Sequence, residues 1–480
     1  MTVNRRIYKH TSFGIVGGGI ALTLAVIGMI SLDSEQRIVV FPIVAIVAVT
    51  VTLVAVLWKR DNEPPYFDVG VFCVIVTALY LCYPLLQFLL SGLVWTELSD
   101  SRLAAYNPAV ADFARVAWWG ALYLFSLSLT YAIVRKNPAA IFTAKLESPT
   151  KSTIIAIVLL YVSMLVYVQA IQFVYGVDLN PTYSSEGAMV ANLPLLVQQI
   201  TGKIVGIGIV LQCALILLLV SRTDEPAWRW TLRVWAISQV VVVVVVLGGR
   251  SGAVFFLVAW LLAHQRLRLP LRPLTVFVIS ATIVAGALLY GFARGIGETD
   301  TIQSALSASN EFQGMYGTAF NLMTLRDSGE LPSIPWSMYF ADILRLLPQQ
   351  LLPFDKVDPS DWYLELIGAR GTGVGFMFGV ISEAVVGLGA IEMVLRGAIL
   401  GFLFGTIHNW YSRNTSKFWP TLFYLWLCIW SYYTYRASTF YLLGHIVFMF
   451  LPAYVLVRIF SAIINGSRSQ LPVHAGTERT

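Results

Sequence analysis

Glu383 is the residue hardest to reconcile with an inert role. It is the one charge in the run GVGFMFGVISEAVVGLG (373–389). A charged carboxylate facing lipid at depth costs on the order of 2.5–3.5 kcal/mol on insertion scales, so Glu383 must face a cavity or an arginine. Desolvation raises a carboxyl pKa and an adjacent guanidinium lowers it. The residue therefore reads either as a general base or as half of a structural ion pair, with Arg396 or an outer arginine as its partner. Glu392, nine residues later, lies closer to a span end and reads as interfacial.

Two arginines occupy a second kind of position. GGRSG (248–252) makes a tight turn after a valine-rich run, and Ser251 and Gly252 open the next apolar helix. YRAST (435–439) places Arg436 before the last apolar run, with Ser438 or Thr439 in position to cap it. A helix N-terminus presents free N–H groups and the positive end of the dipole. Guanidinium adds a permanent charge that binds phosphate through a bidentate fork. Two such ends suit a ligand with several anionic oxygens, such as a pyrophosphate held by Arg250, Ser251 and Arg436. Arginines at span ends often snorkel or set topology, but an outer-side arginine opposes the positive-inside rule.

Arg294, in GFARG, either joins that anion site or caps the carbonyls of the helix it follows. Arg370 lies on the same outer side as an auxiliary cation. His445 follows Arg436 by nine residues, about 13 Å along a helix. It either packs within the helix or serves the outer cavity as an auxiliary group. The chain has no GxxxxGK phosphate loop, HExxH, GxSxG or outer DxD-like pair. No metal or cofactor is expected, and arginines would take the metal's part at a leaving group.

The elements that must position these residues are membrane helices. The chain has 480 residues, of which 57% are hydrophobic and 12% charged, with a mean hydropathy of +0.73. Soluble proteins carry about 25% charged residues. Disorder, collagen, disulfide scaffolds and ordinary soluble enzymes are thereby excluded. The four cysteines lie in apolar runs and form no CxxC pair. A net charge of +6 comes from basic residues placed between apolar runs, which read as topology signals rather than a nucleic-acid surface.

Runs of spanning length occur at 13–32, 38–58, 69–94, 116–134, 153–176, 200–220, 233–249, 251–264, 274–293, 388–408, 419–435 and 439–462. The first lacks a cleavage site and is expected to remain as a span. Twelve crossings place 20 of the 32 Lys/Arg inside and 10 outside, whereas thirteen would give 16 against 14. The positive-inside bias selects twelve, with 373–387 as a re-entrant or interfacial helix and both termini cytoplasmic. The expected fold is thus an all-α integral membrane protein forming one polytopic domain over 1–480. A large external loop spans 294–372 and carries ten of the 26 acids and many aromatics. Loops this long are usually functional.

This pattern resembles the Wzy-type polymerases of O-antigen and capsular repeat units, which are related to the O-antigen ligases. The resemblance rests on GGRSG after the valine run and on RLLPQQLLPFDKVDP (345–359) in the long loop. It also rests on GTGVGFMFGVISEAVVGLGAIEMVLRGAILGFLFG (371–405) and on Arg436 before the last span. It covers roughly the second half of the chain. Related ligases use an external histidine, for which only His445 could substitute here.

The resemblance implies a glycosyltransferase of the bacterial inner membrane that polymerises undecaprenyl-pyrophosphate-linked repeat units. The product would be O-antigen of lipopolysaccharide, capsule or exopolysaccharide. Arg250, Arg294 and Arg436 would hold the departing pyrophosphate and Glu383 would act on the acceptor hydroxyl. Partners would be the lipid-linked glycans, the bilayer and a chain-length regulator and flippase of the same pathway. A ligase or another polyprenyl-dependent transferase would use the same arginines. A flippase or transporter would need polar residues near the midplane and often related halves. The charges instead cluster at the outer ends, and no related halves are visible.

Overall fold

The computed structural model describes residues 34–61, 67–91, 110–136, 146–175, 194–222, 226–241, 250–268, 311–368 and 378–469, with a few isolated positions between them. Among the described residues there are helices and no strand. The long helices are α1 (Ser34–Asp61), α2 (Val69–Ser91), α3 (Val110–Val134), α4 (Lys151–Tyr175), α5 (Leu195–Ser221), α6 (Pro226–Val241) and α7 (Arg250–Leu267). The loop region holds α8 (Glu311–Asp327), α9 (Ala341–Leu344) and α10 (Pro359–Leu366). The chain then forms α11 (Val380–Val386), α12 (Ala390–Ser412), α13 (Phe418–Trp430), α14 (Tyr433–Arg436), α15 (Tyr441–His445) and α16 (Leu451–Ser469).

Among the described residues, seven helical segments are long and apolar enough to cross a membrane: Arg37–Asp61, Val69–Leu89, Val110–Val134, Lys151–Tyr175, Ile200–Ser221, Ala390–Ser412 and Tyr441–Gly466. They cover seven of the twelve expected runs. The runs at 13–32 and, for the most part, 274–293 lie outside the described residues. α6 begins at Pro226, seven residues before its expected start, because proline suits the first helical position.

The run at 419–435 departs from its expected form. α13 has 13 residues, about 20 Å of helix, and stops at Trp430. The Ser431 hydroxyl donates to Cys428 O and that of Thr434 to Ser431 O, so the chain turns tightly into α14. The last span contains a π-helical stretch, Ile446–Phe450. It ends two residues before Pro452, whose missing N–H leaves a carbonyl of that stretch without its α-helical donor.

α12 lies closest to α3. An added Cβ at Gly397 would stand 2.4 Å from Tyr123 O, and one at Gly401 2.5 Å from Leu127 O. At Gly405 it would meet a Val134 methyl at 2.8 Å. Contact advances along both helices in the same sense, so they run parallel. Glycine at every fourth residue is the small-residue stripe that brings membrane helices into backbone contact.

At the Ser412 end of this pair lies a buried ionic network. Arg135 Nε stands 2.9 Å from Asp68 Oδ2, and its Nη2 pairs with Asp61. Arg135 Nε also donates to His408 Nε2 at 3.1 Å, while His408 Nδ1 lies 2.6 Å from the Tyr424 hydroxyl. Tyr131 donates to Asp68 Oδ1 at 2.5 Å. Burial alone would raise the Asp68 carboxyl, but Arg135 and His408 beside it hold it below the ordinary carboxylate value. This cluster joins α1, α3, α12, α13 and the start of α2.

Removing one partner from a buried pair strands a charge and costs about 3–5 kcal/mol. Asp68→Ala is therefore expected to lower the thermal midpoint of the detergent-solubilised protein markedly. An unchanged midpoint would show that the network contributes little.

Candidate functional site

The opposite end of α12 carries a second charged cluster. α11 is a short helix preceded by Gly379, where a Cβ would come within 3.1 Å of Tyr435 O and 3.2 Å of Arg436 O. That close approach sets Glu383 beside α14. The helix is also held at its far end. Arg326, from α8, donates to Val385 O at 2.7 Å, and the Tyr339 hydroxyl donates to Val386 O at 3.2 Å. A turn through Gly387 and Gly389 then leads into α12. Gly389 has φ +69°, a conformation that favours glycine, and a Cβ at Gly387 would collide with Glu392 Oε2 at 1.9 Å.

Glu392 reaches back over this turn and accepts from Leu388 N at 2.8 Å, one residue before the N-cap Gly389. Its other oxygen takes two contacts from Arg396, Nη2 at 2.6 Å and Nε at 2.7 Å. Arg396 Nη1 stands 2.7 Å from Glu383 Oε2. Arg396 is thus shared between two carboxylates, one on its own helix and one on α11. Of the two readings of Glu383, the ion pair with Arg396 is present in the geometry.

Glu383 also faces a cavity of about 320 Å³, together with Asp342, Arg345, Arg436, Ser438 and Tyr441. The Ser438 hydroxyl donates to Asp342 Oδ2. Arg345 donates to Asp358 Oδ2 at 2.7 Å and lies 4.3 Å over the Tyr441 ring. Asp358 in turn caps α10 by accepting from Ser360 N at 2.9 Å. The Arg436 guanidinium lies 5.3 Å from the centre of the Tyr433 ring. A second cavity, of about 430 Å³, is lined by Tyr339, Gly387, Leu388, Glu392, Arg396 and Phe440. The Glu383–Arg396–Glu392 cluster therefore borders both spaces.

Burial pushes the Glu383 carboxyl up to about 8, outweighing the pull of Arg396. Burial also raises Asp342, against the lowering effect of Ser438 and Arg345. Two carboxyls near one hydroxyl, both displaced toward the neutral form, beside two arginines, make a pocket able to exchange protons and meet anions.

The structure brings Glu383 and Arg436 to one cavity. Arg250 and Ser251 begin α7, as the GGRSG reading expects of that helix, but their side chains lie outside what is described. Arg294 and Arg370 also lie outside the described residues. His445 is buried among Trp430, Tyr433 and Tyr441, with ring centres at 4.4, 5.1 and 4.8 Å, and is not among the cavity-lining residues.

Asp342, Arg345 and Asp358 were not singled out from the sequence. Their signal is faint but present, since Asp358-Pro359-Ser360 is an N-cap followed by proline at N1. Ser438 has a different partner from the one its position suggested: it binds Asp342 rather than capping a helix.

The raised Glu383 carboxyl makes stability depend on pH. The folded state keeps this proton up to about 8, whereas the unfolded chain loses it near 4.3. Its contribution to stability is therefore complete below the unfolded value and declines as pH rises toward 8. Glu383→Gln should flatten the fall in thermal midpoint between pH 5 and pH 8 relative to the natural protein. Parallel profiles for the two proteins would contradict the assignment.

Comparison with protein-family models, curated proteins and solved structures finds no match for this chain.

Proposed function

We propose that the chain is a membrane glycosyltransferase that polymerises undecaprenyl-pyrophosphate-linked oligosaccharide repeat units at the outer face of the bacterial inner membrane. The observation that carries this reading is the cavity in which Arg345 and Arg436 face Glu383 and Asp342 beside aromatic walls. Guanidinium groups suit a pyrophosphate leaving group. A carboxyl with a pKa raised toward 8 suits a base working near neutral pH.

In the proposed reaction the acceptor sugar hydroxyl attacks the anomeric carbon of the donor glycan. The bond from that carbon to the pyrophosphate oxygen breaks, and the electron pair leaves with undecaprenyl pyrophosphate. Glu383 takes the hydroxyl proton. Arg436, together with Arg250 and Ser251 at the start of α7 and with Arg294, offsets the charge on the leaving group. Arg370 is an auxiliary cation on the same side, and His445 has a packing role in the aromatic cluster. The glycosyl pyrophosphate supplies the energy, so no nucleotide is needed.

The test is genetic and biochemical. Arg250→Ala and Arg436→Ala should each abolish long chains while the protein stays at normal levels in the membrane, and Glu383→Gln should do the same. Loss of an electrostatic group at a transition state costs about 10²–10³ in rate. Surface glycan capped at a single repeat unit in the deletion strain supports polymerisation, whereas accumulation of long lipid-linked polymer would point to a ligase. Normal chain length in both arginine variants would sink the pyrophosphate clamp.

A further inference from the structure

The segment between α8 and α10 has two unlike sides. It runs through a 3₁₀ helix, Trp336–Phe340, into α9 and ends at a second 3₁₀ turn, Gln349–Leu351. Met338 is buried, and Asp342 and Arg345, four and seven residues on, line the smaller cavity. The remaining exposed side chains of the segment are mostly apolar. Trp336, Tyr339, Phe340, Ile343 and Leu347 are between 42% and 57% exposed, and Leu351 is 71% exposed. Six large apolar side chains exposed within sixteen residues, with only Gln349 and Gln350 as exposed polar side chains among them, form a patch rather than scattered surface residues.

The position of this face identifies its occupant. Tyr339 and Leu388 line the same larger cavity, so the ridge adjoins the start of α12. There Leu388 and Ile391 are 67% and 66% exposed, and Leu395, one turn further, is 50% exposed. That flank belongs to a helix long and apolar enough to cross a membrane, and the ridge meets it at Tyr339 across the cavity that Glu392 and Arg396 line. Trp and Tyr at such a junction are the side chains that favour the lipid–water boundary. On the other side Asp342 lines the smaller cavity, and Arg345, one-third exposed, pairs with Asp358.

We propose that the exposed apolar side chains of residues 336–351 are embedded in the lipid leaflet surrounding the Leu388 end of α12. The space between Tyr339, Leu388 and Phe440 is then a side opening through which an amphiphile dissolved in that leaflet brings a polar head to Glu392 and Arg396. The inference rests on α12 as a membrane span and does not depend on the glycan reading.

Single cysteines at Ile343, Leu351, Leu388 and, as a water-facing control, Glu330 allow a direct test on the full chain. Cys73, Cys213 and Cys428 are buried, and labelled natural protein supplies the background from Cys82. Each variant carries an environment-sensitive fluorophore and is reconstituted in phosphatidylcholine vesicles with or without brominated acyl chains. Only variants that remain monodisperse in detergent enter the comparison. Labels at 343, 351 and 388 should lose emission by about two-fold or more in brominated lipid, while the label at 330 stays unchanged, as expected for side chains at the acyl boundary. Equal responses at 343, 351 and 330 would overturn the embedding. Quenching at 343 and 351 with none at 388 would remove the side opening. Protection of the ridge labels that grows with protein density would assign the face to a second copy of the chain instead.

Discussion

A guanidinium on a membrane helix needs acceptor groups, and Arg396 has two carboxyl partners. Glu392 lies one turn before it on α12 and Glu383 comes from α11, with contacts of 2.6 and 2.7 Å. A glutamate N-terminal to an arginine at this spacing is the favourable order, because it also complements the helix dipole. The second carboxylate requires α11 to fold back, and the turn provides for it. Gly387 N donates to Glu383 O at 2.9 Å and Gly389 N to Ala384 O at 2.8 Å, so the carbonyls at the end of α11 are satisfied locally. The ion pair and the glycine turn are therefore one constraint. With Gly379 against the backbone of α14, it fixes where Glu383 and Arg436 stand relative to each other.

The same helix links this cluster to the buried network at its other end. His408 follows Arg396 by twelve residues, about 18 Å of rise. Between them lies the glycine stripe that presses α12 onto α3. Close backbone contact along that length leaves the two helices little freedom to slide, because each glycine meets a different backbone or side-chain atom of α3. The Arg135 side chain, just past the end of α3, then meets His408 and Asp68. Polar groups at both ends and a dry, tightly packed middle define the depth at which α12 can sit in a bilayer, since the charged ends resist entry into hydrocarbon.

The legible and illegible parts of the site divide along physical lines. Glu383 stood out because a lone carboxylate in an apolar run is costly, and Arg396 was among the partners its charge allowed. Gly397, Gly401 and Gly405 carry a readable packing signal, although the hydropathy of the run alone does not distinguish a stripe from scattered glycines. Asp342 and Arg345 were hidden because they lie in a polar loop, where charges are ordinary and the fold alone decides which of them face inward. The run at 419–435 looked like a span because hydropathy sums side chains. It could not register the serine and threonine hydroxyls that bond back to the chain and end α13 at Trp430. His445 kept two readings until its ring neighbours were known, since composition does not say whether a histidine meets water or three aromatic rings.

The charge of the smaller cavity connects its two proposed duties. Its lining carries three carboxyls, Asp342, Asp358 and Glu383, and two guanidiniums, Arg345 and Arg436. With every acid ionised the lining is net negative and repels a pyrophosphate. With Glu383 neutral, as its raised pKa favours near pH 7, two guanidiniums face two carboxylates and the repulsion is removed, and the upward push of burial on Asp342 acts in the same direction. A base must be ionised to act, so an ionised Glu383 is costly while the anion is bound, and protonation relieves that cost. In the proposed reaction the proton reaches Glu383 as negative charge develops on the departing pyrophosphate. The two changes offset each other within one low-dielectric space, where such compensation is worth far more than in water. A carboxyl held close to its protonation threshold by burial, and kept in place by Arg396, is what that exchange requires.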